Sequence, residues 1–365
     1  MNTSEAVIYL AGCAVNGTVP ERETVEQMDL DAVYALAQRH MLSAAVAAAL
    51  ESAGYKDERS ALAIGISVRR ALFFDRERKA VCAALEEAGI WYVLMKGLVL
   101  RQYYPKFGMR EMTDNDILFD ADRAEDVRDI MERLGFTTVL FGDRNQDVYQ
   151  KPPMLNFEMH SSLFGVMHDQ RLYRYYQSVK ERLVPCGGME YRFTPEDFYV
   201  YMIAHEHMHY YSAGTGLKGL VDVYVYLKHV ETDAQIVREE LDKLGILQFE
   251  QALRSLSLHL FGNEALTDAD REMLDYMLSS GAHGTRENVM HNEIRRAEGS
   301  KLKYARDRFF GAISKNDPQH ERHVKRYPLF FKYKILLPFL PFYRIWNAVR
   351  SGRFRKELKL LLKTK

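Results

Sequence analysis

Residues 114–119 read DNDILF, two aspartates around an asparagine followed by an apolar run. The apolar run at its end predicts a buried β-strand. Side chains two apart in a strand point to the same face, so Asp114 and Asp116 should project side by side. Two carboxylates this close repel each other unless a cation lies between them, and oxygen ligands suit Mg²⁺ or Mn²⁺. The pair therefore predicts a site for one or two divalent metal ions.

A second strand is predicted downstream, over residues 155–163. Its first six residues, LNFEMH, alternate apolar and polar side chains, so Glu158 and His160 should face away from the core. A two-metal phosphoryl-transfer site usually needs a third carboxylate. Glu158 is the candidate for this metal ligand or for a general base, with His160 as its neighbour on the same face.

A phosphate-binding turn is predicted upstream of the two acidic strands. Residues 90–95 read IWYVLM, a continuous β-prone run, and Lys96 and Gly97 follow it at the start of a short helix. Backbone N–H groups at a helix N-terminus bind phosphate, and glycine permits close approach. Lys96 adds a positive charge, and Arg110 could hold a phosphate through two hydrogen bonds.

Helices are predicted on both sides of this strand-rich segment. Apolar spacing indicates helices over residues 29–53, 61–88 and 195–230. Between residues 90 and 165 strands and helices alternate, with a loop predicted at 142–151. The sequence therefore predicts an α+β fold in which a mixed β-sheet is flanked by N-terminal and C-terminal helical regions. The predicted regions are an N-terminal helical region at 1–88, the sheet core at 89–190, a C-terminal helical region at 191–320 and a basic aromatic tail at 321–365.

Composition supports a folded protein and restricts its partners. Of the 365 residues, 47% are hydrophobic, which excludes extensive disorder. The net charge of zero argues against general nucleic-acid binding, and we expect no specific nucleic-acid partner. The three cysteines are too widely spaced for a disulfide framework, which favours a cytoplasmic protein. No apolar run reaches the roughly 18 residues of a membrane span.

The motifs together resemble a known family. The LMKG of residues 94–97, the Tyr-Pro pair at 104–105, Arg110 and the D-x-D of residues 114–116 look like the signature of a bacterial nucleotidyltransferase family. That family belongs to the polymerase-beta-like nucleotidyltransferase superfamily. The E-x-H strand at 158–160 is similar to a later family motif. The resemblance covers roughly residues 30 to 230, and it includes His205, His209 and the GLVD of residues 219–222.

The resemblance implies a fold, an activity and a set of roles. It implies a nucleotidyltransferase core that transfers a nucleoside monophosphate from a nucleoside triphosphate to an acceptor hydroxyl. Asp114 and Asp116 would ligate the metal ions, and Glu158 would complete the site and take the acceptor proton. Lys96 and Gly97 would hold the β and γ phosphates, and Arg110 and His160 would also bind the nucleotide. The acceptor stays open between a small molecule, a saccharide and a peptide.

Two positions depart from the wider pattern. Members of the superfamily usually carry Gly-Ser in this turn. Lys-Gly stands at 96–97 instead, and this pair is typical of the family that the chain resembles. Asn115 stands in the D-x-D where the family usually has an apolar residue. An asparagine on the packed face predicts a strand at the edge of the sheet.

A competing motif points to a different class of enzyme. Residues 205–209 read HEHMH, a match to H-E-x-x-H. On a helix His205 and His209 would share one face, as in zinc metallopeptidases, with Glu206 as general base. A third protein ligand is needed, and no residue is well supported for it. The alternative is that His205 and His209 bond Asp222 or line the nucleotide cleft. A catalytically inactive binding module with the same fold is the third possibility.

The basic charge is concentrated at the end of the chain. Residues 322–365 contain thirteen Lys or Arg and one acid, Glu357, so the preceding residues are acidic overall. Aromatic residues interleave with these cations, and Phe354, Leu358, Leu361 and Leu362 indicate a basic amphipathic helix. One interpretation is weak contact with an anionic surface. The favoured one is an aromatic segment packed on the acidic body, because three prolines interrupt the region.

Overall fold

The computed structural model describes residues 1–165, 169–310 and 320–351. The chain forms two compact units. The first comprises Met1–His207 and Thr215–Ala282, and the second comprises Met208–Gly214 and His283–Lys365. The division into four regions stays a prediction.

A seven-stranded sheet lies in the first unit, and its strand order is β3-β4-β5-β2-β1-β7-β6. The pairs β2/β5 and β1/β7 are parallel, and the other neighbours are antiparallel, so the sheet is mixed. The strands are β1 Tyr92–Leu94, β2 Asn115–Phe119, β3 Thr137–Leu140, β4 Gln146–Lys151, β5 Leu155–His160, β6 Val184–Gly187 and β7 Glu190–Arg192.

Helices precede and follow the sheet in the first unit. They are α1 Thr3–Asn16, α2 Arg22–Glu26, α3 Leu30–Arg39, α4 Ser43–Ser52, α5 Glu58–Glu87, α6 Gly97–Leu100, α7 Ala124–Arg133, α8 Gln170–Tyr175, α9 Pro195–Tyr210, α10 Leu217–His229, α11 Ala234–Lys243, α12 Leu247–Gly262 and α13 Asp268–Ser280. The residues of α9 from Met208 belong to the second unit. The fold is α+β with helices flanking a mixed sheet, which confirms the predicted class.

The two central strands use opposite faces for packing and for chemistry. Ile117 and Phe119 of β2 join Phe157 and Met159 of β5 in the hydrophobic core, together with residues of α5 and α7. Phe74 of α5 contacts Phe157 edge to ring, with the centroids 6.3 Å apart. Strand alternation then places the intervening polar side chains on the other face. The predicted alternation of residues 155–160 is confirmed.

Several parts of the secondary structure differ from the prediction, and the helical stretch predicted at 195–230 is two helices, α9 and α10. The predicted loop at 142–151 contains β4, which pairs with β5 from Gln146 to Lys151. The single helix predicted at 29–53 is two helices, α3 and α4, because the chain turns at Met41, whose φ is 56°. The hairpin of β6 and β7 was not predicted.

Asn115 does not lie at an edge of the sheet. It belongs to β2, which is the fourth of the seven strands, so the edge-strand prediction is wrong. The side chain is fully buried, and neither its amide nitrogen nor its oxygen has a hydrogen-bond partner in the described part of the chain. The residue therefore interrupts an otherwise apolar face at the centre of the core.

The second unit is helical where it is described. Its further helices are α14 Arg286–Arg296, α15 Lys301–Phe310, α16 His320–Arg326, α17 Pro328–Lys332 and α18 Leu340–Arg350. Phe342 and Trp346 of α18 are 64% and 53% exposed, which a packed aromatic segment does not predict. The amphipathic helix predicted around Phe354 and Leu358–Leu362 lies outside the described residues. No described helix is both long enough and apolar enough to cross a bilayer.

Candidate active site

The turn after β1 places a lysine against the acidic strand. Lys96 adopts φ 46° and ψ −116°, a conformation that is costly for a residue with a side chain. The N–H of Met95 donates to the carbonyl oxygen of Asp116 at 3.1 Å, which holds the turn beside β2. The ammonium of Lys96 then donates to Asp116 Oδ1 at 2.8 Å.

Three side chains converge on the polar face of β2 and β5. Because the strands are parallel, with Asp116 opposite Glu158, the two carboxylates are neighbours. His160 Nε2 lies 2.9 Å from Asp116 Oδ1 and 3.9 Å from Glu158 Oε2. Within the described ranges, Asp116, Glu158 and His160 are the one group of three or more acidic, His or Cys side chains close enough to share a metal ion.

Asp114 lies just before β2 and outside this group of three. Its carboxylate accepts a hydrogen bond from Thr113 Oγ1 at 3.2 Å. Burial, together with the negative charge of Asp116, raises the pKa of Asp114. The predicted pair of aspartates is thus coupled electrostatically, but the structure brings His160 rather than Asp114 into the closest cluster.

The pKa values of the three side chains in the cluster are shifted in different directions. Burial alone would raise the pKa of Asp116, but Lys96 and His160 hold it well below its usual range. Burial and the charges of Asp116 and Asp114 raise the pKa of Glu158 to about 7. Burial lowers the pKa of His160, so the ring is neutral near pH 7. The site therefore carries more negative charge than Lys96 alone neutralises.

This donor set fits a divalent cation. Carboxylate oxygens are the ligands that Mg²⁺ and Mn²⁺ prefer, and imidazole extends the choice to other metals. Lys96 already places a cation at 2.8 Å from Asp116, which shows that the site needs positive charge. His160 Nδ1 is buried and has no hydrogen-bond partner among the described residues.

Arg110 and Asp222 form a buried ion pair beside the turn. Arg110 Nε and Nη2 donate to the two carboxylate oxygens of Asp222, each at 2.7 Å. Tyr104 adds a third hydrogen bond to Asp222 at 2.7 Å, so this carboxylate accepts from both Arg110 and Tyr104. A Cβ at Gly97 would collide with the Arg110 guanidinium. Glycine at this turn therefore makes room for an arginine side chain.

Sequence reasoning missed two polar residues at the site. Gln146 donates to Glu158 Oε2 at 2.8 Å, and it was overlooked because its strand was predicted to be a loop. The charge of Lys218, on α10, lowers the pKa of Asp114 and so partly offsets the rise caused by burial and by Asp116. The position of Lys218 four residues before Asp222, on the same helix face, is the signal that could have found it.

The H-E-x-x-H segment lies on α9, as predicted. Its Glu206 accepts a hydrogen bond from Thr215 Oγ1 at 2.8 Å and lies against Gly219 of α10. In the part of the chain that the structure describes, no third His, Cys, Asp or Glu completes a metal site with these residues. Among the described residues, the zinc metallopeptidase interpretation therefore lacks its third protein ligand.

Glu206→Gln should change how stability depends on pH. Burial raises the pKa of Glu206 from 4.5 to about 7, so the folded chain binds the additional proton between these values. The wild type should therefore lose stability as pH rises from about 4.5 through about 7. The variant lacks this loss and should be the more stable protein at about pH 8, by up to about 3 kcal/mol.

Urea unfolding at about pH 5 and about pH 8 measures this difference. The exposed Glu272→Gln is the matched control, and its stability relative to wild type should stay constant between the two pH values. An equally constant difference for Glu206→Gln would contradict the perturbed carboxyl.

Comparison with known proteins identifies the family of the chain. The family model described as an uncharacterised nucleotidyltransferase matches residues 26–262, which is more than half of the chain. No curated protein and no solved structure matches. The matched segment contains both acidic strands, the turn at Lys96 and the Arg110–Asp222 pair. The chain therefore belongs to this uncharacterised nucleotidyltransferase family, as the resemblance of residues 94–118 predicted.

Proposed function

We propose that the protein is a metal-dependent nucleotidyltransferase that transfers a nucleoside monophosphate from a nucleoside triphosphate to an acceptor hydroxyl. One observation carries this proposal. Asp116 and Glu158 lie opposite each other on parallel strands, with the Lys96 ammonium 2.8 Å from Asp116. A cation-binding carboxylate pair beside a charged turn is what a nucleotide's phosphates and their metal ions require.

Different residues of the site would bind the metal ion, accept the proton and orient the ligands in the proposed reaction. Asp116 and Glu158 would hold Mg²⁺ or Mn²⁺, with Asp114 as a further ligand. When bound, the metal would stabilise charge on the transferring phosphate and lower the pKa of the acceptor hydroxyl. Glu158 is also the candidate base for the acceptor proton; its pKa of about 7 belongs to the metal-free protein, and a cation bound beside it would lower that pKa. His160 orients Asp116 through their 2.9 Å contact.

The phosphates would lie at the turn between β1 and α6. Lys96 is the cation of this turn, and Gly97 keeps the backbone open beside it. Arg110 is bonded to Asp222 through two of its nitrogens, so we propose it as a positioning residue that fixes the turn against α10. Its direct contact with phosphate stays a prediction.

The acceptor, the cellular location and the basic tail are parts of the proposal that lie beyond the acidic site. The acceptor class and the cytoplasmic location stay predictions. Contact of the basic tail with an anionic surface also stays a prediction, and it is supported by the exposure of Phe342 and Trp346 beside Arg344 and Arg350. An inactive binding module is the alternative, and it would keep the ion pairs of the fold without needing a metal-dependent nucleotide site.

Thermal stability in the presence of nucleotides tests the proposal. ATP, GTP, CTP and UTP are each titrated with and without Mg²⁺ against the wild type and Asp114→Asn/Asp116→Asn. At a ligand concentration of 100 Kd, binding should add about 2.7 kcal/mol to the wild type and nothing to the double variant. Asp129→Asn, an exposed aspartate of α7, should behave as wild type. A shift that survives in the double variant, or no shift with any nucleotide, would contradict the proposal.

A further inference from the structure

Among the residues that the structure describes, Lys218 is a cation without an anionic hydrogen-bond partner. It lies in the first turn of α10, and its ammonium makes a single hydrogen-bond contact in the described part of the chain, to the sulfur of Met41 at 3.9 Å. A thioether is a weak acceptor, whereas an ammonium carries three donors. Lys218 is partly buried, and cations removed from water are normally paired, so this side chain departs from the usual rule.

The carboxylates around Lys218 are already bonded to other groups. Asp222 lies one helical turn further along the same face, but its oxygens accept from Arg110 and Tyr104. Glu206 accepts from Thr215. Asp114 is near enough for the two charges to shift each other's pKa, yet it accepts its hydrogen bond from Thr113. Lys218 therefore borders the acidic site without being neutralised by it.

The ion pair fixes the position of Lys218 relative to the turn. Arg110 holds α10 through Asp222 and contacts Gly97 at the other end of its guanidinium. Helix α10 consequently packs beside α6. Burial and the neighbouring Arg110 lower the pKa of Lys218, which means that its charge is disfavoured in the free protein. An anion bound beside Lys218 would offset both the cost of burying its charge and its repulsion by Arg110.

We infer that Lys218 is a phosphate-binding residue, whose ammonium takes an anionic oxygen of the substrate's triphosphate on the α10 side of Asp114. This inference rests on the proposed function, because it assigns the substrate's phosphates to that site. It makes the phosphate site two-sided. Lys96 approaches Asp116 from the strand turn, and Lys218 extends from the first turn of α10.

Binding of tripolyphosphate and of the nucleoside triphosphates to Lys218→Met tests the inference. Methionine keeps the unbranched stem and removes the charge. Calorimetric titration in Mg²⁺ should show affinity for both probes weakened about ten- to hundredfold, the equivalent of one charge-assisted hydrogen bond. Affinity for the corresponding nucleoside, which has no phosphate, should be unchanged. Lys218→Arg should retain most of the phosphate affinity, and Lys79→Met, an exposed lysine of α5, should match wild type.

The outcomes separate this inference from the proposed function. Equal binding of tripolyphosphate by wild type and Lys218→Met overturns the inference while the nucleotide site stands. If the wild type binds tripolyphosphate but no nucleotide, and Lys218→Met loses that binding, the proposed function fails and the phosphate site stands. If the wild type binds neither probe, both are overturned. An unchanged urea midpoint for Lys218→Met shows that the fold is intact.

Discussion

Asp222→Ala should lower the free energy of unfolding by about 3–5 kcal/mol, because it leaves a buried guanidinium without its counterion. The Arg110 and Asp222 side chains are only 6% and 8% exposed, and two hydrogen bonds of 2.7 Å join them. The variant also strands the hydroxyl of Tyr104, which donates to the same carboxylate. Nearby Lys218 would add repulsion to the unpaired charge of Arg110.

Urea unfolding measures this loss as a lower midpoint with an unchanged slope. Asp31→Ala is the matched control, since Asp31 pairs with Arg59 on the surface, and it should cost less than about 1 kcal/mol. Replacing both partners, as Arg110→Met/Asp222→Leu, should recover much of the loss because no buried charge is left unpaired. If Asp222→Ala costs no more than Asp31→Ala, the buried pair does not hold α10 in place.

Lys96→Met should make the stability of the protein depend on divalent cations. The variant removes the ammonium that lies 2.8 Å from Asp116, so the free energy of unfolding without metal should fall by about 3 kcal/mol. This value is at the low end for a buried pair because the Lys96 side chain is 21% exposed. Mg²⁺ can then supply the missing positive charge, and it should stabilise the variant more than the wild type.

Unfolding midpoints with and without Mg²⁺ measure this rescue, with KCl at matched ionic strength to separate binding from screening. Lys243→Met removes a lysine that pairs with Glu240 at the surface, and it should lose less than about 1 kcal/mol and gain nothing special from Mg²⁺. If Mg²⁺ stabilises Lys96→Met no more than KCl at the same ionic strength does, the carboxylates do not bind the ion.

Local pattern was sufficient to predict the centre of the sheet. The alternation in residues 155–160 identified both the core face and the polar face of β5, and the acidic strand β2 was recognised from its apolar end. Strand β4 was missed because its residues are mostly polar. It forms because β3 and β5 hydrogen-bond to it on both sides, and that pairing outweighs the propensity of its sequence.

The site was predictable only where its residues are close in the chain. Asp116, Glu158 and His160 follow from two strand patterns, once those strands are assumed to be neighbours. The partner of Arg110 does not, since Asp222 is 112 residues away and nothing local distinguishes it from other acidic residues. Lys218 shares a helix face with Asp222, as their spacing of four residues indicates, but its lack of an anionic partner among the described residues is visible only when the surrounding side chains are placed.

The close approach of Arg110 to Gly97 makes the residue types at positions 97, 110 and 222 depend on one another. A side chain at 97 would displace the guanidinium, and a displaced guanidinium would release Asp222. Conversely, a lineage that lost Arg110 would lose the steric reason for glycine at 97 and the electrostatic reason for aspartate at 222. The three residues should therefore be conserved together or substituted together. Substitutions in the turn should then correlate with substitutions in a helix more than a hundred residues away.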